Sequence, residues 1–257
     1  MAVRFFILAA AVTSTSGCDF PTPYIELAGH TPIPVDPEVD KILTAWEKHR
    51  SGKKSFYAEF NRTVVDKAFK EERRNKGSMR YRHADLGRID ISKDDKGKGR
   101  EIILWTKSNE LWHLMPDVSK ASVHQFDRSY LLDFVRGSFL VWLVPADKAT
   151  LQKHGRISKV KEDVGTVVLR VEVLRPQDRS AYESMTVHLR KSDYLPVKLI
   201  VRENVDVEVI YEFTALHNDV DLSESDFEPP KLDPKKWEID RNPFLAAKPK
   251  PKTATKQ

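Results

Sequence analysis

The sequence predicts a mainly β protein with a few helices (α+β), and two stretches carry that prediction. Residues 181–213 read as three consecutive strands. Met185, Val187 and Leu189 alternate with Thr186, His188 and Arg190; Val197, Leu199 and Val201 alternate with Lys198 and Arg202. Val205, Val207, Val209, Tyr211 and Phe213 then alternate with Asp206, Glu208 and Glu212. Period-two alternation sends one apolar face inward and one charged face into water. The links Lys191-Ser192-Asp193 and Glu203-Asn204 are short, so the strands form an antiparallel meander. Ile200 and Ile210 interrupt the polar face. The second stretch is helical. Asp36-Pro37 supplies an N-cap and a proline at the first helical position, and Val39, Ile42, Leu43 and Trp46 fall on one face before Ser51-Gly52. A one-sided sheet must cover its apolar face. The question is whether protein alone covers it or a ligand takes part.

The 257 residues divide into four regions. Met1–Gly17 reads as an export signal, with Arg4 before a short apolar run from Phe5 to Val12 that is too short to span a bilayer. Cys18, the single cysteine, follows Thr15-Ser16-Gly17 as in a bacterial lipobox, although Thr15 stands where leucine is usual. Lipidation of Cys18 would anchor the protein to a membrane; the alternative is an ordinary cleaved signal with an incidental cysteine. Residues 18–35, with Pro21, Pro23, Pro32 and Pro34, form a tether. A single domain is expected over 36–240, and residues 241–257 form a disordered Lys/Pro tail. Net charge is +5, yet Lys248, Lys250, Lys252 and Lys256 all lie in that tail. The balanced remainder argues against a nucleic-acid surface. Mean hydropathy of −0.50 predicts a water-soluble mature domain.

Between the helix and the meander, further strands are expected. Phe56, Ala58 and Phe60 alternate with polar neighbours, and a charged strand or hairpin runs from Phe69 to Tyr81. Short strands follow at 88–91, around Ile102 and Leu104, and over Leu111, Trp112 and Leu114, with a turn near Ser108-Asn109. The apolar stretch from Tyr130 to Trp142 reads as helical pieces broken at Gly137, and Pro145 opens a small helix through Leu151. Val167, Leu169, Val171 and Val173 make the strand before the meander.

The order of these elements resembles the outer-membrane lipoprotein carrier superfamily, LolA and LolB, over most of Asp36 to Pro230. The resemblance rests on Ser55-Phe56-Tyr57-Ala58-Glu59-Phe60, a strand from Gly77, and Leu111-Trp112-His113-Leu114-Met115-Pro116. Tyr211, Asn218, Asp221 and Phe227-Glu228-Pro229-Pro230 complete it. An uncharacterised exported branch shares the apolar segment with a short helix (Phe139 to Leu151), Val173-Leu174-Arg175-Pro176, Leu195-Pro196 and Pro234-Lys235-Lys236-Trp237. The resemblance implies an open antiparallel half-barrel closed by the N-terminal helix and a helical lid, with acyl chains of lipoproteins accepted in its hollow. The carriers' Arg-Pro in an early strand aligns with His83-Ala84, so their lid mechanism is not carried over. An acylated Cys18 would resemble the membrane-bound LolB.

No catalytic residue, cofactor or metal site is assigned. The eight histidines do not cluster, and no zinc-protease, paired-histidine or nucleophile-elbow motif is present. The first functional reading is therefore a periplasmic or envelope carrier or receptor for lipid or lipoprotein acyl chains. Its hollow would be lined by Phe60, Leu104, Trp112, Leu114, Val187, Leu199, Val209 and Tyr211 and covered by Phe139, Trp142 and Leu143. The alternative is a non-catalytic envelope scaffold or interaction module with other envelope proteins as partners. An open hollow favours the first and a filled interior the second.

Overall fold

Two meanders meet edge to edge in this protein. The structure is a computed structural model and describes residues 36–82, 86–94, 99–126, 139–144, 146–173 and 182–242. The signal segment, Cys18, the tether, His83-Ala84, the apolar pieces before Phe139, Pro145, Leu174-Arg175-Pro176 and the tail from 243 onward lie outside the described residues.

The first meander comprises β1 (Ser55–Asp66), β2 (Glu71–Arg82), β3 (Leu86–Ser92), β4 (Arg100–Trp105), β5 (Glu110–Met115) and β6 (Lys120–Gln125). The second comprises β7 (Gly155–Glu162), β8 (Thr166–Val173), β9 (Ser184–Arg190), β10 (Pro196–Arg202) and β11 (Val207–Asn218). β1 pairs with β11, joining them, and β12 (Glu238–Asn242) adds to β6 as the sheet's parallel pair. The result is a 12-stranded sheet in the order β12-β6-β5-β4-β3-β2-β1-β11-β10-β9-β8-β7, open because β12 and β7 do not meet. At the seam, pairing moves from Glu59↔Ala215 to Phe60↔Phe213. Thr214 is the extra residue, and such a bulge bends and twists the sheet.

The expected meander of 181–213 is present as β9, β10 and β11. Leu199 stands opposite both Val187 and Tyr211, and Val201 opposite both Met185 and Val209. Helix α1 (Pro37–Arg50) begins where Asp36 accepts a 2.8 Å hydrogen bond from the Glu38 amide. It buries Val39, Leu43 and Trp46 completely. Its last residue, Arg50, is also buried and donates from Nη1 to Asn218 Oδ1 at 2.6 Å, tying the helix to the end of β11. Phe139–Trp142 forms a single 3-10 turn. The small helix α2 runs Lys148–His154, starting later than Pro145 because the Asp147 carboxylate caps the Thr150 amide at 2.7 Å. β6, β7 and β12 were not expected: their charged outer residues and short apolar content hide the alternation.

The core is double. On the inner face, α1, the 3-10 turn and Leu151 of α2 cover apolar residues of β1, β2 and β8 to β11, together with Ile89, Ile91, Ile103, Trp105 and Leu111. A smaller cluster holds Leu86, Ile102, Leu104, Trp112, Leu114, Ala121 and Val123. Successive strand residues point to opposite faces, so Ile102 and Leu104 lie across the sheet from Ile103 and Trp105. The chain after β11 covers this outer cluster with Phe227, supported by Leu222, Leu232, Trp237 and Ile239.

Candidate functional site

The inner face gathers most of the residues named from sequence. Phe60, Val187, Leu199, Val209 and Tyr211 belong to one cluster with Phe139, Trp142 and Leu143. Phe139 stacks on Tyr211 with ring centroids 4.7 Å apart, and Tyr211 meets Phe60 edge-on at 5.5 Å. Trp142 meets Trp46 of α1 edge-on at 5.6 Å. Leu104, Trp112 and Leu114 are not brought to this place. They sit in the outer cluster under Phe227, on the other side of β4 and β5. All of these side chains are already covered by protein: Val187 and Leu199 are 0% exposed, Val209 is 1% and Tyr211 is 3%.

One end of the inner face is polar. Arg62 of β1 is buried, donates from Nη1 to Asn75 Oδ1 at 3.3 Å, and lies 5.9 Å from the centre of the Tyr211 ring. Glu101 of β4 is buried as well; burial pushes its carboxyl up to about 7, against the pull of Lys93 and Arg62. Glu203 is raised by the same cause, again opposed by Arg62. Burial also raises the Tyr211 phenol. Away from this end, in the rows of Ile103 and of Leu111 and Phe56, His113 and His124 are both held below the usual imidazole range, chiefly by burial. This polar group was missed from sequence, although Arg62 and Asn75 do occupy positions of inward parity on their strands.

Several buried donors on this face have no hydrogen-bond partner: the indole N–H groups of Trp46, Trp105 and Trp142. Buried polar groups are nearly always satisfied, and each unsatisfied one costs roughly 1–3 kcal/mol. The place is therefore an apolar floor with unused donors and a charged end. Among the described residues, no group of three or more His, Cys, Asp or Glu side chains is arranged to hold a metal ion.

Two surface recesses lie elsewhere. One, of about 420 Å³, is bounded by Leu86, Thr106, Lys107, Ser108 and Phe227-Glu228-Pro229. The other, of about 390 Å³, lies on the outer face of β1 to β4, among Tyr57, Glu59, Lys76, Ser78, Asp90 and Arg100.

Fold and site together define a mainly β protein whose open, antiparallel-rich sheet turns an apolar face toward a few helical segments. A scan against protein-family models finds no match, and neither does a search of the curated proteins. Among solved structures, the chain is similar to an uncharacterized conserved protein from Thermus thermophilus, at 13% identity and a TM-score of 0.47, covering 80% of this chain and 99% of that one. It is similar to a LolA superfamily protein from Nitrosomonas europaea, at 13% identity and a TM-score of 0.38, covering 74% and 97%. A MucA/MucB complex from Pseudomonas aeruginosa also matches, at 13% identity and a TM-score of 0.39, covering 75% and 61%. The superfamily that the sequence motifs resemble is thus among the structural neighbours.

Proposed function

We propose that this is an exported, non-catalytic envelope protein that binds lipid, or the acyl chains of lipoproteins, between the inner face of its sheet and the segments covering it. The observation that carries this reading is the set of buried, unpartnered donors on an otherwise apolar face, the indole N–H groups of Trp46, Trp105 and Trp142. A filled structural core of this kind favours side chains without polar atoms, since each orphaned donor costs stability. An acyl ester supplies both the apolar length and the carbonyl acceptors. In this role Phe60, Val187, Leu199, Val209 and Tyr211 form the floor. Phe139, Trp142, Leu143 and α1 act as the cover, which must lift for a ligand to enter because the floor is closed by contacts such as Phe139 on Tyr211. Leu104, Trp112 and Leu114 support the sheet from behind. Cys18 in this reading carries the acyl anchor.

A second reading, an envelope scaffold or interaction module, is favoured by the same closure, since Val187, Leu199 and Val209 are sealed by protein alone. Titration with a fluorescent fatty acyl probe separates the two, because three inner-face tryptophans report on a ligand placed among them. Saturable quenching, with lipid identified by mass spectrometry in the purified protein, supports the carrier. No saturable uptake and no co-purifying lipid would sink it and leave the scaffold.

A further inference from the structure

The outer face holds a charge arrangement that neither the sheet nor the inner site requires. Arg80 of β2 and Arg88 of β3 stand directly opposite each other. Like charges so placed destabilise a sheet. Asp90 lies two residues beyond Arg88 and takes it with two hydrogen bonds, Nε to Oδ2 at 2.8 Å and Nη2 to Oδ1 at 3.1 Å. The same carboxylate accepts from Arg100, Nε at 3.0 Å and Nη2 at 2.6 Å, and from Arg80 Nη1 at 3.3 Å. Three guanidinium groups thus converge on one carboxylate, and among the described residues each has Asp90 as its ion-pair partner. Arg88 spends a further donor on the Asp226 carbonyl at 3.3 Å, and Arg80 lies over the Tyr57 ring at 5.7 Å.

Exposure is graded across the group. The Asp90 and Arg88 side chains are 11% and 18% exposed, whereas those of Arg80 and Arg100 are 26% and 53%. Asp90 and Arg88 form the fixed base, and Arg100 reaches outward into the 390 Å³ recess. Lys76 lines the same recess, with Asn61, Ser78 and Ser92 as further polar groups. Glu59 is the other acid of the lining, and its Oε1 is occupied by the Tyr57 hydroxyl at 2.7 Å. The volume is within the range of small-molecule sites. Guanidinium forks match the oxygen spacing of phosphate and bind it with paired, charge-assisted hydrogen bonds.

We propose that this recess binds the phosphate group of a ligand, with Arg100 and Lys76 as direct contacts and Asp90 as the anchor that holds the Arg100 guanidinium group in place. The phosphate can come from a soluble phosphate ester or from a phospholipid headgroup. Both sources are tested on the full chain at low salt. Isothermal titration with inorganic phosphate and glycerol 3-phosphate compares wild type with Arg100→Gln and Lys76→Gln. Arg156→Gln, on the remote edge strand β7, removes the same charge far from the recess. Arg100→Gln leaves Asp90 held by Arg88, so the fold should be kept, and a thermal melt checks this.

Saturable binding should weaken roughly tenfold in each of the two recess variants and stay unchanged in Arg156→Gln. Co-sedimentation with phosphatidylglycerol vesicles, against phosphatidylcholine, forms the other arm. A loss of vesicle binding in Arg100→Gln relative to wild type assigns the headgroup, and unchanged vesicle binding assigns the soluble ester. Absence of saturable phosphate binding in both arms, or an equal loss in Arg156→Gln, overturns the proposal.

Discussion

Glu101 should make the protein less stable as pH rises from 4.5 to about 7. The residue sits on the inner face of β4 opposite Ile91, is 7% exposed, and leaves Oε2 without a hydrogen-bond partner. Burial raises its carboxyl from 4.5 to about 7; Lys93 and Arg62 pull the other way, and Asp117 adds to the rise. Below pH 4.5 the group is neutral in both folded and unfolded chains and costs nothing. Between 4.5 and about 7 the unfolded chain releases a proton that the folded one keeps, so stability falls with increasing pH. Above that window the whole penalty is present, about 3 kcal/mol at most. Water reaching the half-exposed Lys93 beside it makes roughly 1–3 kcal/mol the expected range. Glu101→Gln keeps the shape and removes the ionisation. Urea unfolding at pH 8 should show the variant more stable by that amount, and at pH 5 the gain should shrink to less than about 1 kcal/mol. Glu203, His113 and His124 titrate in both proteins and cancel in the difference. Equal gains at both pH values, or a variant weaker than wild type at pH 8, would refute a buried, uncompensated carboxylate.

Val209 is packed between Val64 of β1 and Val201 of β10 in register, so Val209→Phe should overpack the inner face and cost roughly 1–3 kcal/mol, read as a lower melting temperature. An unchanged melt would instead reveal room above Val209 and strengthen the case for a hollow. Cys18→Ser should move the exported protein from the membrane to the soluble fraction, since acyl chains on Cys18 would be its anchor. Partitioning identical to wild type would remove the lipoprotein reading.

What the sequence discloses here follows from how many faces of a strand are apolar. In β9 to β11 the alternation is nearly clean, with Met185, Val187 and Leu189 against Thr186, His188 and Arg190, so strand type, order and inward face could all be read directly. In β4 the run Ile102-Ile103-Leu104-Trp105 is apolar at both parities. Period two then says that a strand exists but not which residues face the helix side. The sequence reading places Leu104, Trp112 and Leu114 inward; the structure sends all three outward. A continuous apolar run is itself the signal of a strand covered on both sides. It calls for a second apolar partner elsewhere in the chain, and Leu222, Phe227, Leu232, Trp237 and Ile239 supply it.

The polar end of the inner face was harder to see for a related reason. Arg62, Asn75 and Glu101 sit on three different strands, and no local spacing links them; only the register of β1, β2, β3 and β4 aligns them across the sheet. Charged residues at such positions look from sequence like ordinary members of a solvated face. Their burial changes what the site is. A purely apolar face would accept any hydrocarbon surface, including another part of the chain. A face with Arg62 and Glu101 at one end, and unpartnered indole N–H groups along its length, has two chemically different ends. In the proposed carrier role, that difference would give an acyl chain attached to a polar group a defined direction.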